Sequence, residues 1–427
     1  MAEKKTVLSD KAWARWTALL LLAMAMFCSY IFMDVMSPIK NLVQSQLGWD
    51  NTAFGTMQGS ETFLNVFIFF LIFAGIILDK MGVRFTALLS GVVMLIGASI
   101  NWYAVTESFA GSSLEVWFTE HLNYIPVFDE LGVSPFYEGM PASAKLSAIG
   151  FMIFGCGVEM AGITVSRGIV KWFKGREMAL AMGSEMALAR LGVATCMIFS
   201  PLFAYIGETP KVSNSLAFGV VLLMIALIMI IVYFFMDQKL DSQTHAEEEK
   251  DDPFRLSDLG QILRSSGFWL VAFLCVLYYS AIFPFQKYAV NMLQCNLTFT
   301  SIEEGAFWGS DQVTVVQYLV MLLAAASAFI SNFSSKKSMK GGMLVLAVVA
   351  LVVYCWMGYM CQSAASIFAV FPLLAVAITP ILGKYVDHKG KAASMLVFGA
   401  LLLIICHLTF AFILPLSLIH ISEPTRH

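Results

Sequence analysis

The sequence predicts an all-α polytopic membrane protein, and two observations carry that prediction. Hydrophobic residues make up 59% of the 427 and charged residues only 13%, about half the charged share of an ordinary soluble domain. Eleven separate apolar runs follow one another along the chain, each close to the roughly 20 residues a helix needs to cross a hydrocarbon layer about 30 Å thick. Lys plus Arg is 26 and Asp plus Glu is 29, a net charge of −3, which offers no basic surface for nucleic acid.

Span 1, residues 14–36, follows Lys4, Lys5, Lys11 and Arg15; it is too long for a signal peptide and no small-residue cleavage site follows it. Span 2 (56–78) ends in a charged turn that leads into span 3 (85–106). The loop 107–144 carries Glu107, Glu115, Glu120, Asp129, Glu130 and Glu138. It reads as a solvated surface segment, with a lid as the alternative. Span 4 (145–167) and span 5 (177–200) flank a strongly basic loop, and span 6 (214–236) completes a first six-helix bundle, residues 1–236. The acidic run His245–Pro253 is too polar for membrane burial and sits in a linker, 237–266. Spans 7 to 11 follow at 267–291, 312–331, 342–361, 365–383 and 394–415, making an incomplete second bundle over 267–415.

Positive charge next to short spans is retained on the cytoplasmic side. With the N-terminus inside, 20 of the 26 Lys and Arg fall on that side, so the expected topology is N-in, in a bacterial inner membrane. The eight cysteines are dispersed without a C-x-x-C spacing, and His407 is the sole histidine in a span. No metal site, cofactor or catalytic nucleophile is expected, and the chain is not expected to be an enzyme.

At the end of span 2 stands Gly75-Ile-Ile-Leu-Asp79-Lys-Met-Gly82-Val-Arg84, and a similar pattern, Gly383-Lys-Tyr-Val-Asp387-His-Lys-Gly390-Lys391, closes span 10. The first glycine allows close helix approach, the acid can bind a base or a helix N-terminus, and the second glycine permits a tight turn. Two such copies on one face resemble the signature loop of the major facilitator superfamily. The loop after span 4, Arg167-Gly-Ile-Val-Lys-Trp-Phe-Lys-Gly-Arg176-Glu177, followed by Ala181-Met-Gly183, is similar to a second segment of that family. The resemblance implies two bundles that rock in alternating access. It also implies that Asp79, Arg84 and Arg176 share one charge cluster holding the cytoplasmic side shut.

In the second half the signature follows the fourth span rather than the second. Two inserted helices, about 312–361, are therefore expected, and further helices are expected beyond span 11. Residues 416–427 resemble the translation of a sequencing adapter, so the chain is expected to be C-terminally truncated with an artefactual tail.

Charged groups at membrane depth are costly and mark function by default. Asp34, Glu159, Glu185 and Arg190 stand out. Counting from the basic loop between spans 4 and 5, Glu159 and Arg190 lie roughly 14 and 18 Å deep at 1.5 Å per residue. Such a pair can lock two helices together, or it can hold a zwitterion, with an ammonium on Glu159 and a carboxylate on the bidentate fork of Arg190. Asp34, in the outer third of span 1, is expected to be half-solvated. Glu185 is placed to reach Arg176 or Arg264 in a gate. In span 7, Tyr278 and Tyr279 precede Pro284, which permits a kink, and they offer hydroxyls to a polar ligand. Lys287 is expected to snorkel to the outer boundary.

Gly-x-Glu159, the Trp172-Phe173 loop, Ala189-Arg190-Leu-Gly192 and the span 7 aromatics resemble the lysosomal dipeptide transporter branch of the superfamily and its bacterial relatives. That resemblance implies facilitated transport of dipeptides, with Glu159 and Arg190 engaging the ligand. The alternative is proton-coupled movement of an organic anion or drug, with Glu159, Asp34 or Glu185 titrating. The expected partners are a small zwitterion and the lipid bilayer, with no accessory subunit.

Overall fold

The computed structural model describes residues 7–207, 209–244, 256–296, 307–334, 336–389 and 392–413. They fold into helices, with no strand among the described residues. The chain divides into two compact units, Met1–Pro253 with Phe371–Val376, and Phe254–Val370 with Ala377–His427.

The first unit opens with α1 (Ala12–Met33), which stops at Asp34; the turn at Ser37–Ile39 contains Pro38. Next come α2 (Lys40–Leu47), ended by Gly48 at φ 66°, and α3 (Asn51–Ser60). Asp50 caps α3 by accepting the Ala53 amide at 2.6 Å. After α4 (Phe63–Phe67) comes α5 (Phe70–Ala104), which Gly82 divides in two with φ 77° and ψ 169°, a conformation glycine adopts without steric cost. Two short helices, α6 (Ser113–His121) and α7 (Pro126–Glu130), precede three long ones: α8 (Ala142–Phe173), α9 (Met178–Ala204) and α10 (Val212–Thr244).

Three features differ from the sequence expectation. Span 2 is not one helix over 56–78: it breaks at Glu61–Thr62 and again at Ile68–Phe69, where Phe69 is left-handed at φ 56°. The cause is tertiary, because the Glu61 carbonyl sits where a side chain at Gly155 of α8 would have to go. The outer loop is not simply solvated: Phe109 and Phe118 are buried in a small core with Ala104, Ala142 and Leu146. Finally, α10 continues to Thr244, so Asp237 lies in a helix, fully buried, rather than in a linker.

Lipid gives helices little hydrophobic reason to associate, so close approach through small residues takes over. A Cβ at Gly150 would come within 2.6 Å of the Asn101 amide nitrogen, and one at Gly97 within 2.5 Å of the Gly150 carbonyl, so α5 and α8 meet backbone to backbone. Gly157 faces Ser90 and Met94 of α5, Gly192 of α9 faces the Phe27 backbone of α1, and Gly219 of α10 faces the Phe32 ring. A strap crosses the face that carries the N-terminus: the Leu8 amide donates to Gln243 at 2.7 Å, Arg176 pairs with Asp10 at 2.6 Å, and Arg15 pairs with Glu177 at 3.4 Å.

The second unit holds α11 (Leu256–Leu263), α12 (Ser266–Asn296), α13 (Asp311–Phe333), α14 (Lys337–Met360), α15 (Ala364–Phe368), most of α16 (Val370–Lys389), and α17 (Ala392–Leu408). The helices α13 and α14 form a hairpin closed by Ser331 donating to the Lys340 carbonyl at 2.9 Å. Tyr354 of α14 donates to the Ser366 carbonyl at 3.0 Å. Among the described residues nine helices are long and apolar enough to cross a membrane. Gly82 divides one of these nine and α16 adds a further 20-residue helix, roughly consistent with the eleven spans expected.

Because a backbone clash has no rotamer escape, Gly97→Leu and Gly150→Leu are expected to abolish folded, monodisperse protein in size-exclusion chromatography. Gly162→Ala, where an added Cβ meets nothing within 4 Å, is expected to leave yield and melting temperature unchanged.

Candidate functional site

Two groups of charged side chains occupy the first unit, one at membrane depth and one at the N-terminal face. The deep group is set by α1, α8 and α9. Gly192 against Phe27 fixes the register of α9 on α1, and the Phe32 and Phe154 rings, 4.9 Å apart, fix that of α8. Arg190 is two residues before Gly192, and Glu159 is five residues, about 7.5 Å, beyond Phe154 toward the N-terminal face. Both therefore lie near the level of Phe27.

Glu159 and Arg190 are half-buried and Glu185 is buried. Among the described residues Glu159 and Arg190 form no ion pair with each other. Instead Arg190, Glu185, Glu159 and Glu61 all act electrostatically on the hydroxyl of Tyr30. Helical side chains lean toward the N-terminus of their helix, so Tyr30 reaches back from one turn above Phe27 toward that level.

Tyr30 and Glu61 escaped the sequence reading. Glu61, 8% exposed, closes α3 near the outer end of an apolar run and reads there as an interfacial acid; the signal for it was an acid within the predicted span. Asp34 is fully buried at the C-terminal cap of α1 rather than half-solvated. Glu185 does not pair with Arg176, whose guanidinium is taken by Asp10; it acts instead, with Arg190 and Glu159, on the Tyr30 hydroxyl.

At the N-terminal face the single cluster expected for Asp79, Arg84 and Arg176 is three separate ones. Asp79 lies 3.8 Å from Arg167, and Arg176 is held by the strap. Arg84 joins a knot around Asp237: Lys171 at 2.7 Å, the Trp172 indole N–H at 2.8 Å, the Tyr233 hydroxyl at 3.2 Å and Arg84 itself at 3.8 Å. Asp241 adds Lys171 at 2.6 Å and Arg84 at 3.2 Å. One fully buried carboxylate thus binds α5, α8 and α10 together. Its acid was missed because the acidic linker was read as starting at residue 237.

Gly82 makes the turn after Asp79, and among the described residues a Cβ added at Gly75 would meet nothing within 4 Å. In the second unit Gly383 and Asp387 fall in α16, and Gly390 lies outside the described residues. Tyr278 donates to the Leu396 carbonyl, so its hydroxyl ties α12 to α17. Tyr279 is 54% exposed and stacks on Phe283 at 5.1 Å. Lys287 is buried rather than snorkelling.

The family profile described as Major Facilitator Superfamily matches residues 22–364, a range that encloses α13 and α14. The human lysosomal dipeptide transporter MFSD1 is 24% identical over 280 residues, 64% of this chain and 52% of that protein. Its Danio rerio counterpart is 23% identical over 381 residues, 85% of this chain and 72% of that one. The chain spans about half the length of the first curated relatives it matches. Among solved structures, a partially occluded inward open form of the xylose transporter XylE from E. coli has a TM-score of 0.45 at 11% identity, covering 88% of this chain and 99% of that one. Tetrameric PepTSo2 has a TM-score of 0.39 at 12% identity, covering 95% and 99%.

Removing one partner of a buried charge pair leaves the other uncompensated, at a cost of about 3–5 kcal/mol. Asp237→Asn is therefore expected to lower the melting temperature markedly, while Asp241→Asn, on a half-exposed group, costs about 0–1 kcal/mol. Thermal denaturation of the two purified variants side by side checks the ranking.

Proposed function

Because the chain belongs to the Major Facilitator Superfamily, we propose that it carries a small zwitterion, a dipeptide or a molecule like it, across the membrane by alternating access. The observation that carries this reading is the pair Glu159 and Arg190: opposite charges at one depth, uncommitted to each other, with Tyr30 within reach of both fields. An ammonium on Glu159 and a carboxylate on Arg190 give each charge the partner it lacks, and only while cargo is bound. The MFSD1 relatives, named as lysosomal dipeptide transporters, support this reading. The span 7 tyrosines, Tyr278 and Tyr279, are further candidates to address a polar ligand. The N-terminal strap and the Asp237 knot brace the cytoplasmic end of the first unit in this reading, with the chain in a bacterial inner membrane and its N-terminus inside.

Transport of this kind makes and breaks no covalent bond. The cycle needs only that the cargo neutralise the deep charges, so that the loaded carrier changes its opening more readily than the empty one. A second reading has support in the depth of two acids: Glu159 is half-buried and Glu185 is buried. A carboxylic acid at that depth can carry a proton, which favours proton-coupled carriage of an organic anion or drug, with Glu159 or Glu185 titrating. Asp34, fully buried, is a further carrier acid on this reading.

Hydrogen bonds to charged groups contribute about 1.5–3 kcal/mol, and 1.4 kcal/mol is a factor of about ten. Glu159→Gln and Arg190→Ala are each expected to cut dipeptide uptake into proteoliposomes by at least about tenfold. Unchanged uptake in both variants overturns the peptide reading. Flux that collapses with the proton gradient and ignores dipeptides supports the second reading instead.

A further inference from the structure

Residues 105–141, between α5 and α8, form a cap on the face opposite the N-terminus, built on α6, α7 and the core around Phe118. Two of its contacts grip the broken part of span 2. The Phe128 ring lies 4.9 Å from Phe63 and 5.5 Å from Phe67, both on α4, and the Tyr137 hydroxyl donates to Asp50, the cap of α3, at 3.3 Å. Partial burial, with Asp50 alongside, pushes Tyr137 up to about 12, so it stays a donor at any physiological pH. A third contact ties the cap to the body of the unit. The Lys145 ammonium, 1% exposed, donates to the Phe118 carbonyl at 3.0 Å and to Asn123 at 2.9 Å.

We propose that this cap is a lid, and that Phe128 and Lys145 are positioning residues which, while the lid is docked, hold α3 and α4, and with them Glu61, against the deep charged group. A five-residue α4 with a break at each end is too short to be stable by its own hydrogen bonds and depends on packing. Its neighbour α3 buries Ala53, Phe54 and Met57, and meets α8 where Ser60 donates to the Ala148 carbonyl at 3.0 Å and the Glu61 carbonyl fills the notch at Gly155. The lid adds a restraint from the outer side, through Phe128 on Phe63 and Phe67 and Tyr137 on Asp50. Lys145 suits a reversible dock, because carbonyl and amide oxygens satisfy it when the lid is down and water satisfies it when the lid lifts. A cavity of about 330 Å³ lies between Glu115, Thr119 and Met140 of the cap and Leu47, Ser143 and Lys145 below it, which leaves the lid room to shift.

This inference rests on the deep group being the transport site, but its test does not need the cargo. Amide hydrogen exchange, resolved peptide by peptide, is measured on the full chain in micelles for Phe128→Ala, Phe128→Tyr, Lys145→Met and Lys145→Arg. Phe128→Ala and Lys145→Met are expected to speed exchange in both 105–141 and 51–67 by about tenfold, while Phe128→Tyr and Lys145→Arg retain the slow rates. Faster exchange in the cap with none in 51–67 overturns the proposal, and so does no change in either segment. Acceleration spreading into α10 marks general unfolding; Phe128→Leu, which keeps apolar bulk without the ring, then takes the place of Phe128→Ala. If dipeptide flux is absent in the unaltered protein while the coupled exchange is present, the substrate reading fails and the lid stands.

Discussion

Backbone-to-backbone contact at glycine is the constraint on which the first unit depends. In lipid the apolar surfaces of two helices gain little from meeting, so what fixes their depth is close packing where no side chain intervenes. Gly97 and Gly150 set α5 against α8, and Gly192 sets α9 against α1. The deep charges are spaced from these contacts by the helix itself. Glu159 stands two residues after Gly157, and Arg190 two before Gly192. Two residues turn about 200° around a helix, so a glycine edge sunk into one neighbour swings the charge to the opposite flank, where both side chains are half-exposed.

That geometry gives the short motifs a physical meaning. Gly-x-Glu and Arg-x-Gly are each an anchor and a pointer, and the pair sets two opposite charges at one height without letting them meet. An arrangement of this kind is costly when empty, since each charge gives up water for little in return. The Asp237 knot is the contrasting case. There the carboxylate is surrounded by two bases, an indole N–H and a phenol, and every charge is compensated inside the protein. In the function proposed above the deep group is completed by cargo, whereas the Asp237 knot is complete in itself.

Much of this was legible in the residues, and the exceptions have a common cause. The apolar runs, the basic loops and the Gly82 turn follow from composition and local backbone freedom, which a sequence displays directly. The break in span 2 does not: residues 56–78 hold no proline, and the interruption arises because a notch on α8, ninety residues away, accepts the Glu61 carbonyl. Glu61 therefore passed without notice, and Asp237 fell in the linker, since local polarity says nothing about which helix face a partner covers. Phe109 and Phe118 were likewise visible as residues but not as a core, because their packing partners come from α5 and α8. The charges of the signature loop were found correctly as charges; their sorting into three clusters depended on Asp10 and Asp237, which only the packed helices bring near.

The strap has a consequence for the order of assembly. Leu8 and Asp10 reach Gln243 and Arg176, partners that leave the ribosome more than a hundred and sixty residues later. Residues 8–10 are thus made well before their partners and dock only once α10 has been inserted. Fastened in this way, they act as a seal on a finished bundle rather than a seed for it.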